Sequence, residues 1–160
     1  MIKLIFVLLI SLVTSEVIAG EVTQGKKFDS WRVLEANGSC FLLGQPSHSK
    51  GFAGFRENPS LIFRKDTKNL FQISIFSGFT LSLIKPVEIT TYNRSFLLQP
   101  YRSNFASTDP FFNPKSFIEA LLQDQELLIV AIPGKNNVMA YDYYDIRNLG
   151  QVLNFLQNSC

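Results

Sequence analysis

Apolar and polar residues alternate along much of the chain before its last third, the pattern of strands with one buried face. From Phe28 to Glu35 the alternation places Trp31 and Val33 on the same face of a strand. Asn37-Gly38 follows, and both residues tolerate the positive φ that a two-residue hairpin turn requires. We therefore predict a β-hairpin that carries the chain's one tryptophan on its first strand and Cys40 on its second.

The same alternation predicts further strands downstream. It is clearest in FQISI, residues 71–75, where every second side chain is apolar. Shorter candidate strands are 61–65, 87–91, 95–98 and 101–106, and 80–85 predicts a short extended segment. Gln45 to Pro59 contains several glycines and prolines and predicts a long loop, and Glu21 to Lys27 predicts a loose lead-in.

Two helices are predicted in the last third of the chain, with a pair of strands between them. Pro114 suits the first position of a helix that has Asn113 as its N-cap. Leu127 to Ile132 is a short apolar run that predicts a buried strand, and Val138 to Tyr144 predicts the last strand. The closing helix has apolar residues at helical spacing, namely Leu149, Val152, Leu153 and Leu156. We predict a mainly β fold, an antiparallel β-sandwich or half-barrel with two short helices in the C-terminal third.

Residues 1–19 have the pattern of a secretory signal peptide. A lysine precedes an apolar run, Leu4 to Val13, that is too short to span a bilayer as a mature helix. Small residues stand three and one positions before a cut after Ala19; a cut after Ser15 and an uncleaved anchor are the alternatives. We predict one β-sandwich domain over residues 20–160, with no transmembrane segment after cleavage.

The two cysteines of the chain are Cys40 and Cys160. In an exported protein such a pair predicts one structural disulfide, and two separate thiols are the alternative. Closing a loop of this length would stabilise the fold by about 4–5 kcal/mol in the chain-entropy model. With Trp31 as a core anchor, the bond would join the first hairpin to the C-terminus.

Length and composition restrict the classes of function. The chain has 160 residues, of which 46% are apolar, which fits one domain with a sizeable core. The net charge is +2 and the basic residues are scattered, so we expect no nucleic-acid partner. The 15 phenylalanines predict a phenylalanine-packed core, and an exposed aromatic surface is the alternative.

The sequence contains no evident catalytic constellation. His48 is the one histidine, and a serine–histidine hydrolase would need it beside an orienting carboxylate. Asp142 and Asp145 could serve as the acid and base of a glycosidase, but aspartates at this spacing also end a strand and cap a helix. Zinc requires three or four suitable ligands, and calcium loops require a glycine turn that is missing, so we expect no metal or other cofactor.

Three tyrosines near the end of the last strand form a candidate ligand or partner surface. They are Tyr141, Tyr143 and Tyr144. Alternation places Tyr141 and Tyr143 on one face of the strand and Tyr144 on the other, so at least one of these faces must belong to the core.

Several short motifs occur in an informative order. They are FDSW, CFLLGQP, RENP, FQISIFSGF, VEITTYNRSFLL, ELLIVAIPG and the closing VMAYDYYDIRNLGQVLNFLQNSC. This order resembles the invasion associated locus B family of exported proteins of Gram-negative bacteria. Many relatives have a second cysteine pair near the equivalent of 96–106, which is missing in this chain, and Asp145-Ile146 replaces their Ser-Leu. The resemblance implies a β-sandwich protein of the periplasm or cell surface and supplies no catalytic residues.

Together these observations predict a non-enzymatic exported protein of the bacterial envelope, located in the periplasm, at the cell surface or in the medium. Its partner would be another envelope protein or a host protein, contacted in envelope maintenance or host-cell invasion. The alternative is a periplasmic module that binds a small ligand or glycan through surface aromatic residues. A hydrolase that uses His48 is a third hypothesis.

Overall fold

The fold is taken from a computed structural model, which describes residues 23–65, 71–109, 112–123 and 126–159. The predicted signal peptide and Cys160 lie outside these residues.

Among the described residues, eleven strands form a single antiparallel sheet that is not closed. The strands are β1 (Thr23–Phe28), β2 (Trp31–Ala36), β3 (Ser39–Gly44), β4 (His48–Lys50), β5 (Ser60–Lys65), β6 (Phe71–Phe76), β7 (Val87–Thr90), β8 (Ser95–Arg102), β9 (Phe105–Ser107), β10 (Leu127–Pro133) and β11 (Met139–Asp145). Their order in the sheet is β1-β2-β3-β5-β6-β9-β8-β7-β10-β11-β4. The helices are α1 (Pro114–Gln123) and α2 (Leu149–Ser159). The predicted fold class, mainly antiparallel β with two helices in the C-terminal third, is confirmed.

Strand β8 connects the two halves of the sheet. Its first residues pair with β7 and its last residues pair with β9. The register shifts between Pro100 and Arg102, where proline supplies no N–H to the ladder. The two halves pack against each other.

The contact between the halves is seen at two aromatic rings. The ring of Trp31 in β2 lies 6.3 Å from the ring of Tyr144 in β11, although these strands are close to opposite ends of the sheet order.

The core lies between the two halves and consists mainly of leucine, isoleucine and valine. Its buried phenylalanines are Phe63 and Phe117, and others pack around it half-buried, so the phenylalanine-packed core that the composition predicts is found only in part. Trp31 is buried, and its ring centroid is 5.7 Å from that of Phe63. Phe63 in turn lies 6.1 Å from Phe117, which brings α1 into the same cluster. The predicted apolar positions of α2 are buried in this core: Leu149, Val152, Leu153 and Leu156.

Local sequence signals account for the first hairpin and the start of α1. Strands β2 and β3 pair along their whole length, and between them Asn37 and Gly38 have φ of 51° and 70°. At the start of α1, the amide of Lys115 donates a 3.0 Å hydrogen bond to the side-chain oxygen of Asn113, so the predicted N-cap is confirmed.

Three sequence predictions of local structure are wrong. The predicted lead-in contains β1, which pairs with β2, and the predicted loop over 45–59 contains β4, which pairs with β11. The strand predicted over 101–106 is the end of β8, a turn and the start of β9. Segment 80–85, predicted as extended, has one isolated bridge, between Leu81 and Gly134.

The predicted disulfide has one described partner. Cys40 is buried on β3, and the described part of the chain contains no free cysteine. Helix α2 ends at Ser159 and packs against β2 and β3. This places helix α2 next to the strand of Cys40; the bond to Cys160 itself stays a prediction.

No helix in the part of the chain that the structure describes has both the length and the apolar character needed to cross a bilayer.

Candidate functional site

The candidate tyrosine surface lies on β11, which exposes one face and buries the other. Tyr141 is 39% exposed and Tyr143 is half-buried, whereas Asp142 and Tyr144 are fully buried. The predicted alternation is therefore confirmed. Tyr144 belongs to the core, so the prediction that it contributes to a ligand surface is wrong.

The ring of Tyr143 is already covered by its neighbours on β4. The ring of His48 stacks on it, with the centroids 4.2 Å apart and the planes 8° apart. The ammonium group of Lys50 lies 5.5 Å from the same ring. Tyr141 is thus the tyrosine of this strand with the most exposed ring, and Tyr143 serves mainly to hold the short strand β4 in place.

The surroundings of His48 do not resemble a hydrolase site. Its Nδ1 lies 3.3 Å from the hydroxyl of Ser47, and that hydroxyl donates a 2.9 Å hydrogen bond to the carbonyl of Tyr143. Asp142 is next to Tyr143 in the chain but points to the opposite, buried face. The structure therefore places His48 against an aromatic ring, and none of its contacts among the described residues is the orienting carboxylate that the triad chemistry needs.

Asp142 forms a buried ion pair with Arg56. Both guanidinium Nη atoms of Arg56 donate to the carboxylate of Asp142, with Nη2 at 2.7 Å from Oδ2. The hydroxyl of Ser49 donates to Oδ1 of the same carboxylate at 2.6 Å. The remaining donors of Arg56 reach the carbonyl of Ser77, with Nε at 2.9 Å and Nη2 at 2.7 Å. The guanidinium also lies over the ring of Phe79, 5.1 Å from its centroid. All three guanidinium nitrogens of Arg56 donate hydrogen bonds, so the Arg56–Asp142 pair joins loop 51–59 to β11 and to the end of β6.

Asp145 has a separate structural role. Its Oδ1 accepts a 3.1 Å hydrogen bond from the backbone amide of Arg147, immediately before α2, and its carboxylate also pairs with the Arg147 guanidinium. These bonds, above all the one from the guanidinium, hold the pKa of the Asp145 carboxyl below its usual value. Asp142 and Asp145 therefore do not share a cleft as the acid and base of a glycosidase; one ties down a loop and the other precedes a helix.

Tyr144 adds an unusual polar group to the core. Its hydroxyl is buried and has no hydrogen-bond partner among the described residues. Burial raises the pKa of this phenol well above its usual value; the negative charge of Asp142 adds to the effect and the positive charge of Arg56 opposes it. The sequence does not indicate that Tyr144 lies near an ion pair, because the cation of that pair, Arg56, is 86 positions away from Asp142.

The outward face of the first strands carries apolar side chains where a solvated sheet face would carry polar ones. The residues are Leu34 on β2, Phe41 and Leu43 on β3, and Ile62 on β5, each half-buried. Leu34 is opposite Phe41 in the register, and Leu43 is opposite Ile62, so the four positions are contiguous. We call these four residues the outer apolar face.

Charged and open features surround the outer apolar face. The guanidinium of Arg64 lies 5.8 Å from the ring of Phe41, and Arg32 is an exposed neighbour opposite Leu43. A cavity of about 190 Å³ opens beside Leu34 and Leu43. Sequence reasoning missed this face because residues 40–43 are apolar at every position, so their periodicity does not say which side is buried.

Comparison with known proteins supports the fold. No protein-family model and no curated protein matches the chain. The crystal structure of invasion associated protein B from Bartonella henselae is similar, with a TM-score of 0.57 and 14% sequence identity. The similarity covers 84% of this chain and 94% of that chain. At this identity the likeness shows a shared fold, and it agrees with the resemblance in motif order.

Proposed function

We propose that this protein is an exported, non-enzymatic protein of the bacterial envelope, and that it acts by binding another protein through the outer apolar face. The observation that carries the proposal is the contiguous set Leu34, Phe41, Leu43 and Ile62 on the outward side of the sheet. The signal-peptide pattern of residues 1–19 and the fold shared with invasion associated protein B support the export and the location.

A binding role follows from the physical chemistry of this face. Apolar patches rimmed by polar residues on a soluble domain mark contact sites, because covering them removes apolar surface from water. Arg32 and Arg64 form such a rim, and arginine is enriched in protein interfaces. The fitting partner presents an apolar surface with carboxylates at its edge. Such a partner could belong to the envelope or to a host cell.

The contacts of the candidate catalytic residues also favour a binding function over a catalytic one. Asp142 is bound by Arg56 and Ser49, Asp145 is bound by Arg147, and His48 stacks on Tyr143. Each group has a structural role that its chemistry accounts for. The glycan alternative would depend mainly on Tyr141, because the ring of Tyr143 already stacks on His48.

The test combines cell fractionation with site-specific cross-linking. In the native host, the mature chain is expected in the envelope fraction and to begin at Gly20. A photo-reactive amino acid in place of Arg64, at the rim of the outer apolar face, should cross-link to a discrete partner. The matched control replaces Glu119, which is exposed on α1.

Leu43→Ser combined with Ile62→Ser should abolish the cross-link made from position 64. A full-length chain in the cytoplasm would contradict the proposed export. Equal cross-linking from positions 64 and 119, or cross-linking that survives the double substitution, would contradict the proposed contact face.

A further inference from the structure

Two neighbouring loops, 80–86 and 134–138, form a second surface with a different character. Ile84 is 90% exposed and Leu83 is 64% exposed, so two consecutive large apolar side chains project into solvent. Leaving these two side chains in water is less favourable than covering them with an apolar surface. We call these two residues the Leu83–Ile84 tip.

The segment that leads into the tip, residues 80–82, is held by backbone hydrogen bonds. The amide of Ser82 donates to the carbonyl of Pro133 at 2.8 Å, and the amide of Lys135 donates to the carbonyl of Thr80 at 3.0 Å. The amide of Leu81 donates to the carbonyl of Ser103 at 2.6 Å. These bonds anchor the loop directly before Leu83, which reduces the ordering that the loop would need on binding.

Two cations stand beside the tip. The ammonium group of Lys85 donates a 3.2 Å hydrogen bond to the side-chain oxygen of Asn137, which holds it near Lys135 on the facing loop. Between the loops lies an open cavity of about 430 Å³. The described residues that line it are Leu81 and the two tip residues, together with hydroxyl, amide and lysine side chains, and they include no carboxylate.

We infer that this end of the protein docks on an anionic phospholipid bilayer. Leu83 and Ile84 enter the interfacial layer, and Lys85 and Lys135 lie against the lipid phosphates. A short apolar projection flanked by lysines suits a soft, anionic surface, because the apolar side chains can sink among acyl chains while the ammonium groups stay at headgroup level. A protein partner would instead be expected to meet a flatter surface, such as the outer apolar face.

The inferred contact with the bilayer is weak and reversible, because it involves few side chains. Two inserted side chains and two lysines provide far less than a lipid anchor or a spanning helix. Each lysine is expected to contribute roughly fivefold in affinity, and the two apolar side chains together more than about tenfold. The docking goes beyond the proposed protein contact, uses other residues, and can be tested without knowing the partner.

The test is vesicle co-sedimentation of the purified mature chain. One set of vesicles contains phosphatidylcholine alone and the other contains phosphatidylcholine mixed with phosphatidylglycerol. We expect binding to the mixed vesicles, weaker binding to the neutral ones, and release by added salt. The double variant Leu83→Ser/Ile84→Ser should lose more than about tenfold of the binding, and Lys85→Gln/Lys135→Gln roughly twentyfold or more.

The matched controls are Tyr92→Ser and Lys115→Gln. Tyr92 is 93% exposed at another turn, and Lys115 is exposed on α1, so neither control should change vesicle binding. All variants alter exposed positions and are checked by thermal melting. Equal binding to neutral and anionic vesicles, no binding by the unmodified chain, or equal loss in the controls would overturn the inference. Retention of binding by both double variants would also overturn it.

Discussion

The indole Nε1 of Trp31 donates a hydrogen bond of 2.9 Å to the backbone carbonyl of Asp145, 114 positions away in the chain. The bond joins β2, near one end of the sheet order, to the last residue of β11, near the other end. It satisfies the one polar atom of a side chain that is otherwise packed against Phe63 and Tyr144. The two halves of the open sheet are thus held together by a side chain that fills the core and also bonds across it.

Trp31→Phe should destabilise the protein by about 1–3 kcal/mol, because it removes the hydrogen bond and part of the buried ring. Trp31→Ala should destabilise the protein by about 3–5 kcal/mol. The measurement is the free energy of unfolding in urea. Phe55→Ala is the control, since Phe55 is almost wholly exposed and should change the free energy little. A loss in Trp31→Phe no larger than in the control would argue against the role of Trp31 as the core anchor.

Arg56→Ala should destabilise the protein by about 3–5 kcal/mol, since it leaves the carboxylate of Asp142 buried without its cation. The double variant Arg56→Met/Asp142→Leu should be less destabilised than Arg56→Ala, because it leaves no unpaired charge in the core. A double-mutant cycle made of Arg56→Met, Asp142→Leu and their combination measures the coupling free energy between the two side chains. Additive effects of the two substitutions would show that the pair does not fasten the loop.

Tyr144→Phe should be neutral or stabilising at neutral pH, because it removes a buried hydroxyl without a hydrogen-bond partner among the described residues. The folded-state pKa of this phenol is raised, so as the pH rises past about 10 the unfolded chain ionises while the folded chain keeps its proton, and the free energy of unfolding falls. Stability contributed by this group is complete below that pH and is lost as the pH rises through the folded-state pKa.

The alkaline loss of stability should therefore be smaller in Tyr144→Phe than in the unmodified chain. Tyr141→Phe is the matched control, since Tyr141 is a tyrosine on the exposed face of the same strand. The measurement is the free energy of unfolding in urea at neutral pH and at several pH values above about 10. Identical alkaline profiles for the unmodified chain and Tyr144→Phe would contradict the assignment.

Cys160→Ser should lower the melting temperature by several degrees, as should reduction of the unmodified protein, if the predicted bond to Cys40 forms. The chain-entropy model attributes about 4–5 kcal/mol to closing a loop of this length. Thermal melting with and without a reductant is the measurement. A reductant should have no effect on Cys160→Ser, which serves as the control. A melting temperature of the unmodified protein that does not respond to reduction would refute the bond.

Much of the fold can be read from local signals in the sequence. Alternation at 31–35 and 71–75, the Asn37-Gly38 turn and the Asn113 N-cap each act within a few residues, and each is found where it was predicted. The strands that sequence reasoning missed, β1 and β4, lack a clear alternating pattern. They are strands because a neighbouring strand offers them hydrogen bonds, and that information is not local.

The sequence by itself determined the class of fold, the burial of Trp31 and the opposite faces of Tyr143 and Tyr144, because side-chain periodicity depends only on backbone geometry. Only the tertiary structure decided that Arg56 meets Asp142 and that the hydroxyl of Tyr144 is buried. It also decided that a half-buried apolar face lies on the outward side of the sheet and that the Leu83–Ile84 tip is exposed. These features depend on which strands become neighbours and on how the halves of the sheet pack. That outcome is set by contacts between residues far apart in the chain.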